Sequence, residues 1–227
     1  MRRPDEDDEE LEIRVLQVGV TGRDGDDTYQ LVLQTTRGDL AGVFHVVQGG
    51  VGATIMVCGA SGGTEGPAEA IYERLGEGFA DRQISSLRLN YRRPGEFAEC
   101  VMDVLAGASF LKGIGAEQIV LVGHSFGGAV AVKAAEIAGP QVTAVAALSS
   151  QGFGTQNVER LDRPLLVVHG MMDTVIEATT AESIYARANE PKQIVLYAEA
   201  GHSLNQVKAE LYDLLMEWVP AHLPKGA

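Results

Sequence analysis

The sequence predicts an α/β fold: a doubly wound, mostly parallel sheet preceded by N-terminal antiparallel hairpins. Three observations predict it. From residue 53 onward, short β-rich apolar runs alternate with longer amphipathic ones, the pattern of strands joined by crossover helices. Several short runs, such as Ile119-Val120-Leu121-Val122, are continuously apolar, as befits strands covered by helices on both faces. Ahead of residue 53 the turn residues lie too close together for crossover helices, so those strands are expected to pair antiparallel.

In chain order, the first ten residues set Asp5, Glu6, Asp7, Asp8, Glu9 and Glu10 against Arg2 and Arg3. A like-charge block with nothing to bury is expected to be a disordered acidic tail, residues 1–10. Strand-like stretches follow at Leu11–Val20, Tyr29–Thr36 and Leu40–Val47, separated by turns at Gly22–Asp27 and Arg37-Gly38-Asp39. The strands expected next are Ala53–Cys58, Ile84–Leu89, Gln118–Val122, Val142–Leu148, Pro164–Val168 and Gln193–Tyr197. The expected helices are Pro67–Ala80, Glu96–Lys112, Gly127–Ala138, Ala178–Ala188 and Asn205–Trp218. With 227 residues in all, residues 11–227 are expected to form one α/β domain, a class that reaches about 250 residues. Only Ser149–Arg163 separates two of the strands, too little chain for a cap domain, so an open site is expected.

Composition narrows the function. Hydrophobic residues make up 45% of the chain, enough for a sizeable core. The net charge of −13 argues against nucleic acid, which needs a basic face, and against anionic membrane surfaces. No apolar run approaches the ~18–20 residues of a membrane helix, and the acidic N-terminus lacks the apolar stretch of a signal peptide; a cytoplasmic location is expected. Cys58 and Cys100 lie in apolar surroundings and read as small core residues rather than a disulfide framework. The histidines and cysteines lack the close spacing of a metal set, so no metal is expected.

The sharpest signal is Gly123-His124-Ser125-Phe126-Gly127-Gly128, directly after a strand and opening a helical run. G-x-S-x-G in a strand–turn–helix context is the nucleophile elbow. Gly123 and Gly127 let strand and helix approach, and the helix N-terminus behind Ser125 offers N–H groups where negative charge can develop. That context is what distinguishes the motif from a glycine-rich packing turn.

A serine hydroxyl needs a base to take its proton. His124 adjoins Ser125, so its side chain is expected to diverge from the hydroxyl; His45 lies in an early strand, His169 ends a strand, and His222 follows the last helix. His202 occupies the loop Ala200-Gly201-His202-Ser203 after a strand, and functional groups of an open parallel sheet gather beyond the carboxyl ends of its strands. His202 is therefore the candidate base. Asp173, in the loop after the preceding strand, is the candidate orienting carboxylate. Asp162 precedes its strand at the wrong edge, and Glu177 stands where the next helix begins. The order Ser…Asp…His suits this type of hydrolase.

On these residues the chain resembles the α/β-hydrolase superfamily, most closely its small single-domain esterase and dienelactone-hydrolase-like members. The resemblance spans roughly Tyr29 to Trp218 and rests on Gly123–Gly127, on Asp173 after His169-Gly170, on His202 after Gly201, and on the glycine-rich stretch after Ala53–Cys58. It implies the α/β-hydrolase fold and a Ser125–His202–Asp173 triad. It also implies an oxyanion hole from the N–H groups of Phe126 and Ala60, with Ser61 a rival to Ala60. Where such relatives carry a His-Gly pair before that second donor, this chain has Cys58-Gly59. Dienelactone hydrolases proper usually use cysteine as nucleophile, and Ser125 here favours an ordinary ester.

The glycine-rich run Gly59–Gly63 lacks the spacing and the lysine of a phosphate loop. Arg88, Arg92 and Arg93 are expected to pair with the acidic surface. Ser61, Ser150 and Met172 are candidate pocket residues. The expected function is hydrolysis of small carboxylic esters through an acyl-enzyme, with a small-molecule ester as partner and no cofactor. A thioesterase or amidase with the same residues, and a catalytically silent binding protein on the same fold, are the alternatives.

Overall fold

Residues 12–23, 25 and 27–223 are described by the computed structural model, and the acidic stretch 1–10 lies outside them. The strands are β1 (Val15–Arg23), β2 (Thr28–Thr35), β3 (Gly38–His45), β4 (Gly52–Val57), β5 (Ile84–Asn90), β6 (Gln118–His124), β7 (Val142–Leu148), β8 (Leu165–Gly170) and β9 (Lys192–Tyr197). The helices are α1 (Pro67–Ala80), α2 (Phe97–Gly113), α3 (Phe126–Ile137), α4 (Ala178–Arg187) and α5 (Lys208–Ala221).

The strands form a nine-stranded sheet in the order β1-β2-β3-β5-β4-β6-β7-β8-β9. The first three pair antiparallel, and β3 also lies antiparallel to β5. From β5 to β9 every pairing is parallel. Strands β4, in the middle of the sheet, and β8, one in from its edge, are buried at every position because helices cover both faces. Alternate residues feed two cores. Ile55, Val57, Ile119 and Leu121 pack with α2, α3 and α4, whereas Met56, Val120 and Val122 pack with α1 and α5.

Three local expectations shift. The first strand runs Val15–Arg23 rather than Leu11–Val20. A register shift between Val20 and Gly22 lets β1 stay paired as far as Arg23↔Tyr29, and such a bulge absorbs the glycine that otherwise reads as a turn. The last helix begins at Lys208 after a separate 3-10 turn, Asn205–Val207. At the start of α1, Ala68, Glu69 and Ala70 are left-handed, with φ of 51°, 57° and 63°. Left-handed backbone costs an L-residue about 1–2 kcal/mol. Hydrogen bonds offset it, from Ala68 N–H to the Ser203 carbonyl and from Tyr72 N–H to the Glu65 carbonyl.

The expected pairing of the arginines with the acidic surface is corrected for Arg92. Its side chain is 4% exposed and pairs inside the molecule with Asp103 and Glu99, while Arg88 is buried and Arg93 meets Glu96 at the surface. Helix α2 faces the sheet with Glu99 and Asp103 at four-residue spacing, and that face receives the guanidinium. Among the described residues no helix is long and apolar enough to cross a membrane.

Candidate active site

The elbow at Ser125 follows from two glycines. A Cβ on Gly123 would lie 2.0 Å from the Gly127 carbonyl oxygen, and one on Gly127 would lie 2.2 Å from that of Cys58. Only glycine lets β6 turn this tightly into α3 against β4. Ser125 itself adopts φ 59° and ψ −120°, a sparsely populated backbone state for a residue with a side chain. Its N–H donates to the Leu148 carbonyl at 2.8 Å, and its own carbonyl accepts from Gly128 at 3.1 Å, so the strained turn is held from both sides.

Ser125, His202 and Asp173 come from three separate loops at the carboxyl edge of the sheet. Ser125 Oγ lies 2.9 Å from His202 Nε2, and His202 Nδ1 lies 2.7 Å from Asp173 Oδ2. The other carboxylate oxygen, Oδ1, accepts the N–H groups of Val175 at 2.8 Å and Ile176 at 2.9 Å. Burial raises the Asp173 carboxyl pKa, but these backbone N–H groups and His202 outweigh it, and the net displacement is downward. Asp173 is therefore ionised at neutral pH, and its acceptor oxygen holds a proton on His202 Nδ1. His202 Nε2 is then left as the acceptor toward Ser125. Asp162 is exposed and paired to Arg163, and Glu177 stands at the surface just before α4 without a side-chain hydrogen bond to the helix backbone.

Two histidines support this arrangement from behind, a role that sequence reasoning missed. His124 does diverge from Ser125, and its Nε2–H donates to the His202 carbonyl at 3.0 Å with the two rings 5.0 Å apart. Burial pushes its pKa down to about 4, so the ring is neutral. His169, wholly buried, donates from Nε2 to the Ile176 carbonyl at 2.9 Å and lies 3.1 Å from Asp173 Oδ2. Each ends a parallel strand, and that position was the available signal, because such residues face the same cluster of loops.

The neutral His124 makes stability pH-dependent. In the unfolded chain it binds a proton below the ordinary 6.5, while in the folded chain it does so only near 4. Stability is therefore expected to fall as pH drops through that window, by roughly 3 kcal/mol at about 1.4 kcal/mol per pH unit. His124→Gln keeps a donor to the His202 carbonyl without a titrating ring. Urea midpoints at pH 7.5 and 4.5 should show a distinctly smaller loss in the variant, and an identical loss would contradict the assignment.

The remaining candidates separate. Ser61 lines a cleft of about 360 Å³ with Cys58, Gly59, Ala60, Ser125 and His202. Ser150 is buried, with its hydroxyl donating to the Gln151 carbonyl at 3.1 Å, and does not line that cleft. Met172 is exposed beside Asp173. Cys58 and Cys100 are buried thiols, and Gly66 N–H donates to Cys58 Sγ at 3.2 Å. A larger cavity of about 520 Å³, lined by Val20, Tyr29, Phe44, Phe110 and Ile114 among others, opens at the opposite end of the sheet and includes none of the candidate residues.

A family model described as the dienelactone hydrolase family matches residues 68–216, a span that includes Ser125, Asp173 and His202. No curated protein matches the chain. Among solved structures, a dienelactone hydrolase from Anabaena variabilis is similar with a TM-score of 0.76 at 14% identity, covering 88% of this chain and 100% of that one. Est1E from Butyrivibrio proteoclasticus is similar with a TM-score of 0.72 at 15% identity, covering 81% and 94%. An alpha-beta serine hydrolase homologue from Coxiella burnetii reaches 0.70 at 20% identity, covering 82% and 95%. At these identities the likeness is one of fold.

Proposed function

The chain belongs to the dienelactone hydrolase family, and on that premise we propose that it is a serine hydrolase cleaving small carboxylic esters. The observation that carries this reading is the unbroken hydrogen-bond chain from Asp173 through His202 to Ser125 Oγ. In the proposed cycle Ser125 Oγ attacks the ester carbonyl while His202 Nε2 takes its proton, and Asp173 stabilises the imidazolium that forms. Phe126 opens α3, so its N–H has no intrahelical acceptor; together with the Ala60 N–H it holds the oxyanion. His202 then returns the proton to the leaving alcohol, an acyl-enzyme forms, and water activated by the same imidazole releases the acid. The cycle draws only on these groups and water.

Labelling with a fluorophosphonate tests the reading directly, since only an activated serine is modified quickly. Rapid modification at Ser125, absent from Ser125→Ala, is the expected result; a chain that resists labelling at neutral pH is not a serine hydrolase.

The open site sets an expectation for chain length. Residues 149–164 form a loop with one 3-10 turn, Val158–Arg160, and the cleft beside Ser125 is only about 360 Å³. Each buried CH₂ contributes about 0.8 kcal/mol, close to a fourfold gain in kcat/KM when the transition state feels it fully. That gain lasts only while there is wall to bury against. Across nitrophenyl esters kept below their micelle concentrations, kcat/KM should rise from acetyl to about butyryl or hexanoyl and then level or fall. A steady rise through decanoyl would replace the small-ester assignment with a lipase or long-chain thioesterase.

A further inference from the structure

Large apolar side chains face solvent on the two loops that flank Ser125 and His202. In the loop after β7, Phe153 is 64% exposed; in the loop after β8, Met172 is 65% and Val175 70% exposed. Both loops are tied to the site through backbone. Gln151 N–H donates to the Ser125 carbonyl at 3.3 Å, and Met172 N–H donates to the Ala200 carbonyl at 2.9 Å, two residues before His202. The stretches that carry these side chains are poor in charge, and charged residues return only at Glu159 in the first loop and at Glu177 in the second. Residues 149–157 contain no charged side chain. In 171–176 the sole one is Asp173, whose oxygens are taken by Val175, Ile176 and His202. Single exposed apolar residues need no explanation, but three large ones on two loops tied to the Ser125 and His202 segments, in a chain of net charge −13, do.

The Phe153 ring packs on one side although it is exposed. It meets Phe97 edge to face at 5.2 Å and 74°, and Phe97 meets Phe126 at 5.7 Å and 89°. Tyr91 closes the array against Phe126 at 6.0 Å. Gly154, at φ +94°, permits this packing, because a Cβ there would lie 2.2 Å from the Phe97 ring. The array thus starts at the residue after the nucleophile and ends in a largely uncovered aromatic ring. A ring already packed on one side has less freedom to lose when a ligand covers the other.

We propose that the acyl group of the substrate is aromatic and seats on Phe153 and Met172, outside the glycine-lined cleft; this rests on the serine-hydrolase reading above. The acyl part is the one that stays on Ser125 Oγ, beside the start of the array. An open rim cannot surround a flexible chain, but a flat, rigid ring can lie against it with few rotors to freeze. Ring-on-ring contact adds up to about tenfold in affinity beyond the area buried, and the Met172 thioether adds a sulfur–aromatic contact.

Two esters of equal carbon count isolate the effect: ethyl 3-phenylpropanoate and ethyl 3-cyclohexylpropanoate, followed by proton release. The wild-type enzyme should favour the phenyl ester in kcat/KM by about five- to tenfold, mainly through KM. Phe153→Leu, at an exposed position, keeps apolar bulk and should bring that ratio close to one. Ile137→Ser, exposed on α3 away from the rim, should leave both the ratio and the rates as they are. A wild-type ratio near one, or a ratio that survives Phe153→Leu while Ser125 still labels with fluorophosphonate and ethyl acetate still turns over, overturns the aromatic assignment alone. Absence of labelling and of all ester turnover overturns the serine-hydrolase reading and this inference with it.

Discussion

Ser125→Ala is expected to remove nearly all ester turnover, by as much as about 10⁶-fold in kcat, while leaving the melting temperature close to that of the parent. The size follows from the geometry. His202 Nε2 has one acidic partner, Ser125 Oγ at 2.9 Å, so without the hydroxyl the imidazole has no proton to accept and no acyl-enzyme can form. His202→Ala should cost a similar factor, and the double variant little more, because groups that act as one unit are not additive. The fold should survive, since Ser125 is held by its backbone bonds to Leu148 and Gly128 and alanine keeps its Cβ. Retention of more than a tenth of the wild-type kcat by Ser125→Ala would exclude the mechanism.

Asp173→Asn should lower kcat by about 10⁴-fold with little change in structure. Asparagine can still accept the Val175 and Ile176 N–H groups through Oδ1. Its amide NH₂ then stands where Oδ2 accepts from His202 Nδ1. Two donors cannot face one another, so His202 must shift its proton to Nε2, where it can no longer take one from Ser125. Flipping the amide would instead turn the NH₂ onto two backbone donors. The change of tautomer is directly visible in the nitrogen shifts of His202 by NMR, which separates this cause from a general loss of packing. If the Asp173→Asn variant kept the wild-type tautomer and a near-normal kcat, Asp173 would not be the group that orients the base.

Much of this was legible because the controlling interactions are local. The alternation of apolar runs and the two clustered turns before residue 53 are short-range patterns, and the sheet with its antiparallel start and parallel remainder bears them out. The elbow was legible for the same reason. Its geometry is set by five consecutive residues, and the two glycines are demanded by backbone approaches of 2.0 and 2.2 Å. The end of β1 was less so, since a glycine in a bulge and a glycine in a turn look alike until the partner strand is in place. The left-handed start of α1 was hidden as well, because Pro67–Ala80 has an ordinary helical pattern and only the contact from Ala68 to Ser203 reveals the departure.

By itself the sequence determined the fold class, the elbow and the set of loops that meet at one edge of the sheet, because periodicity and turn chemistry act within a few residues. Only the tertiary structure decided how those loops face one another. Ser125 and His202 are 77 residues apart, and His202 and Asp173 are 29 apart, so no local preference sets their distances; the register of β6, β8 and β9 does. The same packing turned His124 and His169 into supports, drew Arg92 inside against Asp103 and Glu99, and set Phe153 on Phe97. A side chain's burial and partners depend on which surfaces the sheet order brings together, and that order is decided by the summed burial of the whole chain rather than by any one segment.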